Sequence, residues 1–212
     1  MVDVITSAQM HKAIEYMCDT IEQEKEYLSE LDGAIGDGDH GVNMAKCFRQ
    51  VKEKLPESED QDIGTLLRNV GMVVINSVGG AMGALYGTMF LRLAQESAGK
   101  TEVNLNDLVR MFEAAEQGIR DLGKAEVRDK TLLDTIAPAV SALEQAEQAG
   151  KPLLDALSDF EQAAKEGMES TRDLMARVGR ASRLGERTIG HQDAGATSCY
   201  FILRAFAQAA RE

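Results

Sequence analysis

Three short stretches hold residue types that could do chemistry. The first is Leu31-Asp32-Gly33-Ala34-Ile35-Gly36-Asp37-Gly38-Asp39-His40-Gly41. Asp32, Asp37 and Asp39 fall within eight residues, separated by glycines. Aspartate offers a short, hard oxygen ligand, and glycine lets the chain curl until several carboxylates converge. Such a group repels itself unless a cation neutralises it. An EF-hand fits poorly: with Asp37 and Asp39 as its first two ligands, position five is Gly41 and position twelve is Phe48 rather than Glu. Mg²⁺ shared with phosphate oxygens is the better use, because it takes few carboxylates and leaves the rest of its shell to phosphate and water. A solvated acidic turn is the plainer alternative.

The second stretch is Ser77-Val78-Gly79-Gly80-Ala81-Met82-Gly83-Ala84-Leu85-Tyr86-Gly87-Thr88. Small residues opening a helix leave N–H groups exposed, with the helix dipole behind them, and this suits a phosphate. No Gly-Lys-Ser/Thr follows, so it is not a P-loop, and tight helix packing explains the glycines equally well. The third runs from Gly179 to Ser198 through Arg180, Gly185-Glu186-Arg187-Thr188-Ile189-Gly190-His191-Gln192-Asp193 and Ala194-Gly195. From Arg172 to Arg187 the chain carries five arginines and two acids, against a net charge of −12 overall. That reversal marks a candidate anion site, since the guanidinium fork matches phosphate oxygens. The competing reading is a mobile loop with solvated arginines. A long non-periodic loop over 177–194 weighs toward a lid or binding loop. His40 suits a hydrogen-bonded place beside the acids, and His191 a loop-fixing one.

The elements that must position these stretches are helical. Apolar residues recur at helical spacing in Ile14–Leu31, Ile63–Val78, Leu105–Leu122, Leu132–Leu143, Leu153–Leu174 and Cys199–Ala210. Shorter helices near 42–54 and 81–97 bring the expected count to about eight, and no stretch alternates for long enough to be a convincing strand. Thr131 with Asp134 resembles a capping box, Pro152 suits a first turn, and Gly99 and Gly150 suit helix ends. With 212 residues, 44% hydrophobic, 27% charged, three prolines and no tryptophan, the composition favours one helical domain over residues 1–212.

The acidic balance argues against nucleic acid or an anionic membrane as the main partner. Cys18, Cys47 and Cys199 form no CxxC pair, which favours a reducing compartment over a disulfide scaffold or zinc site. No signal peptide is legible at the start, and no apolar run reaches ~18 residues. A cytoplasmic location is expected.

Gly36-Asp37-Gly38-Asp39-His40-Gly41 with Asn43-Met44, Gly79-Gly80-Ala81, Gly123-Lys124-Ala125, Asp129-Lys130-Thr131 and Gly185–Asp193 occur in one order through nearly the whole chain. Together they closely resemble the nucleotide-binding L subunit of dihydroxyacetone kinases (DhaL). The resemblance implies an all-α fold, an eight-helix antiparallel up-and-down barrel with the nucleotide site at one end. It implies that Asp32, Asp37 and Asp39 coordinate two Mg²⁺ ions on the nucleotide phosphates. It places His40, Gly41, Val42, Asn43, Gly79, Gly80, Ala81, Met82, Gly123, Leu132, Arg180, Asp193, Ala194 and Gly195 at the nucleotide, with Arg180 offsetting charge during phosphoryl transfer.

The same resemblance implies two partners: a K subunit that holds the hydroxyketone, and a phosphoryl-donor M subunit that recharges bound ADP from phosphoenolpyruvate. In another branch ATP exchanges freely and the K and L parts are usually fused. A chain carrying only the L part points to the ADP branch. His40 favours the hydroxyketone side of the family, since the fatty-acid kinase branch carries threonine there. The alternatives are an ATP-dependent dihydroxyacetone or tetrulose kinase, a helical calcium-binding protein, and a module that reports its nucleotide state to a transcriptional regulator.

Overall fold

The computed structural model describes residues 3–56 and 61–211. Nine α-helices occur among them: α1 (Ser7–Gln23), α2 (Lys25–Ile35), α3 (His40–Lys54), α4 (Ile63–Ser77), α5 (Gly80–Glu96), α6 (Leu105–Gly123), α7 (Leu133–Gln148), α8 (Leu153–Ser170) and α9 (Ala194–Ala209). The expected count was about eight. The difference lies at Glu24, where α1 and α2 meet. Glu24 N–H still donates to the Thr20 carbonyl and Leu28 N–H to the Glu24 carbonyl, both at 2.9 Å. The hydrogen-bond ladder therefore runs through the junction, and the two helices form one irregular rod.

Several helix starts are written in local sequence. Thr6 and Gln9 form a reciprocal capping box at α1, and Asn104 and Asp107 form one at α6. Asp62 caps α4 through the Thr65 N–H at 3.0 Å. At the start of α7 the Thr131 N–H donates to Asp134 Oδ2 at 2.8 Å, the reach-back half of the box anticipated there. Leu174 does not continue α8. The helix stops at Ser170, where the Ser170 and Thr171 hydroxyls donate to the Gly167 and Met168 carbonyls and compete with the ladder. A 3₁₀ turn over Thr171–Asp173 follows.

Two strands too short to show in a sequence pattern, β1 (Ile5–Thr6) and β2 (Glu102–Val103), pair antiparallel with Ile5 opposite Val103. They tie the start of α1 to the start of α6.

Each helix from α3 onward packs against its successor, and α9 returns to α1, which also packs on α3. The rods thus close a ring as an up-and-down barrel, with short connections except for the long one over 171–193 between α8 and α9. Its interior is filled. Phe112, Phe160 and Phe206 form a triad with centroid separations of 4.9, 5.4 and 6.3 Å. A void among Met10, Met17, Phe90 and Phe112 measures about 10 Å³, too small for more than one water.

Alternation in such a barrel gathers every second connection at one end. The connections α2–α3, α4–α5, α6–α7 and α8–α9 share an end, so residues 36–39, 78–79, 124–132 and 171–193 must meet there. All three chemistry-bearing stretches belong to that set. Among the described residues no helix is long and apolar enough to cross a membrane.

Candidate functional site

The four connections surround a cavity of about 750 Å³, within the range of small-molecule and cofactor sites. One wall is the acid loop. Oxygens of Asp32, Asp37 and Asp39 all lie within 4.8 Å of one another. At that spacing each pair of charges repels by about 1 kcal/mol in water and by roughly 3.5 kcal/mol at an effective dielectric of about 20. Two local features hold the loop in spite of this. Asp32 Oδ2 accepts the Asp39 N–H at 3.0 Å and the His40 N–H at 3.3 Å, so it also caps the start of α3. Gly38 turns the chain with φ at +76°, a conformation that side chains disfavour. Arg180 forms an ion pair with Asp37, both side chains remaining well exposed. One guanidinium against three carboxylates leaves two negative charges uncompensated, the charge of one divalent cation. Three hard oxygen donors converging on one point are the donor set that Mg²⁺ takes.

The floor holds a buried polar relay. His40 Nε2 lies 2.8 Å from Ser198 Oγ, which lies 2.6 Å from the Tyr86 hydroxyl. The Tyr86 hydroxyl donates to the Gly195 carbonyl at 3.0 Å. Burial pushes the His40 pKa down to about 4, against the pull of Asp32, so the ring is neutral at pH 7. Asp193 caps α9 through the Ala196 N–H at 2.7 Å. Burial pushes its pKa up to about 6, opposed by the Ala196 hydrogen bond and by the charge of Lys130.

Three helix starts therefore point into the cavity in different states. Those of α3 and α9 are satisfied by Asp32 and Asp193, whereas α5 begins at Gly79 with no side-chain cap. The glycines of that stretch divide accordingly. A Cβ on Gly83 would lie 1.9 Å from the Val78 carbonyl oxygen, and one on Gly87 would lie 2.2 Å from Ile75 Cγ1. Those two serve close packing against α4. Nothing lies within 4 Å of a Cβ on Gly79 or Gly80, which front the cavity. The bare N–H groups of α5 are thus free to meet an anion. Ile35, Val78, Met82, Leu85, Ile119, Leu122 and Leu132 supply the apolar part of the cavity lining.

The structure brings Asp32, Asp37, Asp39, His40, Asn43, Gly79, Gly80, Ala81, Met82, Gly123, Leu132, Arg180, Asp193, Ala194 and Gly195 to this one cavity. It does not bring Gly41 or Val42 to its lining. Gly41 packs on α2, where a Cβ would lie 2.0 Å from the Lys25 carbonyl oxygen, and Val42 points outward, 48% exposed. Sequence reasoning missed Ile35, Leu85, Ile119 and Leu122, which lie on helices that also carry core residues, and Val178, which lies in the connection after α8. It also missed Tyr86 and Ser198, whose partners are 112 residues apart in sequence.

A family model described as the DAK2 domain matches residues 34–208. The chain belongs to the DAK2-domain family. The chain is 45% identical, over 92% of both chains, to the ADP-binding subunit DhaL of the PEP-dependent dihydroxyacetone kinase of Escherichia coli K12. It is 41% identical to the corresponding subunit of kinase 2 of Listeria innocua, covering 94% of this chain and 93% of that one. Its fold matches the crystal structure of the dihydroxyacetone kinase of C. freundii with a TM-score of 0.71 at 22% identity. That match covers 95% of this chain but 34% of the C. freundii chain, so it spans about a third of the longer kinase. The same kinase in complex with AMP-PNP and Mg²⁺ matches with a TM-score of 0.68 at 23% identity.

Proposed function

We propose that this chain is the ADP-binding subunit of a phosphoenolpyruvate-dependent dihydroxyacetone kinase, and that residues 1–212 form one DhaL-type nucleotide-binding domain. The observation that carries the reading is the meeting of three carboxylates and a bare helix start in one cavity. The 45% identity to a DhaL subunit supports it.

Asp32, Asp37 and Asp39 would hold Mg²⁺. Their uncompensated charge accounts for one ion, and the further negative charge of a nucleoside diphosphate calls for a second. Bound there, Mg²⁺ neutralises phosphate charge and so lowers the barrier to phosphoryl transfer. The chain's own residues do the rest. The N–H groups of the Gly79–Met82 turn bind phosphate oxygens, and the apolar side formed by Met82, Leu85, Ile119 and Leu132 receives the base. Arg180, which pairs with Asp37 beside the acids, offsets charge on the transferring group. His40, neutral and fixed by Ser198, presents a ring that does not add positive charge. Asn43, Gly123, Asp193, Ala194 and Gly195 complete the enclosure. No side chain here is a nucleophile for a covalent step; positioning and electrostatics suffice for this chemistry.

As such a subunit the chain works in the cytoplasm with two partners, a K subunit that presents dihydroxyacetone and an M subunit that delivers the phosphoryl group. The test is reconstitution. Mixed with K and M subunits, phosphoenolpyruvate and dihydroxyacetone, the chain should support formation of dihydroxyacetone phosphate. Asp37→Ala should abolish it while the helical circular dichroism is retained. Full activity of that variant would remove the acid loop from the mechanism.

A further inference from the structure

The segment that carries Arg180 leaves the barrel after α8 and returns at α9. It is drawn together at a neck. The Gly190 N–H donates to the Arg172 carbonyl at 2.8 Å, and the Ala176 N–H donates to Thr188 Oγ1 at 2.9 Å. Beyond the neck, Arg177, Arg180, Arg183 and Arg187 are all exposed, and Gly179 and Gly185 adopt φ of +71° and +55°. This is an Ω-loop whose tip carries a 3₁₀ segment over Ala181–Thr188, broken at Gly185, that touches α2.

Lys130 enters the neck from an adjoining connection. It sits in the α6–α7 connection and is 2% exposed. Its Nζ donates to the carbonyl oxygens of Thr171 at 2.7 Å, Leu174 at 3.1 Å and Thr188 at 2.8 Å, and also to that of His191. Two of these carbonyls precede the loop and two follow it. One ammonium thus joins both legs. A cationic donor with several N–H groups on a flexible stem suits carbonyls that converge from different directions.

The backbone around Lys130 is held in an unusual form. Lys124, Arg128 and Lys130 have φ of 51°, 79° and 64°, a region that non-glycine residues seldom enter. Asp134 fixes this connection by accepting the Arg128 and Thr131 N–H groups. The Asp129 carbonyl adds a second link to the loop by accepting the Arg177 N–H at 3.2 Å. Conformations of this kind persist where the surroundings over-determine them, commonly at functional sites.

We propose that Lys130 is a positioning residue: its ammonium pins both legs of the 171–191 loop, and so holds Arg180 against Asp37 over the cavity and slows nucleotide escape. The last clause rests on the nucleotide reading, whereas the pinning itself does not.

The test begins with nucleotide-free protein and trypsin, with cleavage mapped by mass spectrometry. Lys130→Met keeps the chain length and removes the donors. It should raise the rate of cutting after Arg177, Arg180 and Arg183 at least tenfold, with helical circular dichroism unchanged. Lys130→Arg, which keeps a cationic donor, should stay within threefold of the parent. Cutting of Lys130→Met at the parental rate would overturn the proposal, as would Lys130→Arg cut as fast as Lys130→Met. Should Lys130→Met fail to fold, hydrogen exchange on the unaltered protein decides. The Ala176 and Gly190 amides should then exchange at least a hundredfold more slowly than those of 179–187, and equal rates would overturn the clamp. In nucleotide-loaded protein Lys130→Met should release ADP at least tenfold faster, and release at the parental rate would refute the retention role. A clamp that passes the nucleotide-free tests in a protein that binds no ADP would leave the pinning intact and refute the nucleotide reading alone.

Discussion

The two ends of the barrel use the same residue, aspartate at a helix start, to opposite effect. At the end holding the α3–α4 and α5–α6 connections, Asp62 accepts the Thr65 hydroxyl at 2.6 Å and the Thr65 and Gly99 N–H groups at 3.0 Å. The Thr65 hydroxyl, with these backbone bonds, holds its carboxyl below the usual range. The Asp107 carboxylate accepts from Lys100 Nζ at 2.8 Å, from Arg110 and from the backbone N–H of its capping partner Asn104 at 3.4 Å. Desolvation works against its charge, but these bonds win and its pKa also falls. At the cavity end Asp193 is pushed up to about 6, and three further carboxylates crowd together around one guanidinium. One end satisfies its charges internally. The other leaves them for something that binds.

The comparison predicts that substitutions at the two ends separate binding from stability. The largest effect is expected at the acid loop. Asp37→Ala should weaken Mg²⁺-dependent ADP binding by at least a hundredfold in calorimetry while leaving the melting temperature of the nucleotide-free protein nearly unchanged, because it relieves repulsion as well as removing an ion pair. A melting temperature that falls with the affinity would contradict the division. Next comes the split within one glycine stretch. Gly87→Val puts a side chain into Ile75 and should destabilise folding by about 1–3 kcal/mol in urea titrations, the usual cost of overpacking. Gly79→Ala should be close to neutral for folding and act on nucleotide affinity instead. At the closed end Asp62→Ala should cost about 1 kcal/mol, the typical worth of such a cap, with nucleotide affinity intact.

The smallest effect is in pH dependence, where the two ends have opposite signs. For Asp62 and Asp107 the folded pKa is lowered, so their contribution to stability is present above the ordinary carboxylate pKa and lost as pH falls through the folded value. For Asp193 the folded pKa is raised, so its contribution is full below the ordinary value near 4 and is lost as pH rises through about 6. The melting temperature of the parent relative to Asp193→Asn should therefore rise as pH is lowered from 7 toward 4. The same comparison with Asp62→Ala should fall below pH 4. Parallel profiles would dissolve the contrast between the ends.

The sequence carried the helices and the acid loop because both depend on local pattern. Apolar spacing marks a helix face, and Asp37-Gly38-Asp39 reads as a ligand-bearing turn without knowledge of the fold. What it could not carry were choices made by distant neighbours. Gly79 and Gly83 look alike in a row of small residues, yet one faces open space and the other the Val78 carbonyl. The end of α8 was misjudged because Leu174 keeps the period while the Ser170 and Thr171 hydroxyls break the ladder. The irregularity at Glu24 and the pairing of Ile5 with Val103 left no periodic mark. Lys130 stood inside a recognised motif, but its four carbonyl partners lie 41 to 61 residues away.

The central claim is that the cavity is built to hold ADP. The most direct test is to purify the protein by gel filtration without added nucleotide, denature it, and identify by chromatography what is released. ADP should appear in near-equimolar amount, or, if purification strips it, rebind tightly in a manner that requires Mg²⁺. A protein that releases no nucleotide and binds neither ADP nor ATP in the presence of Mg²⁺ would contradict the claim.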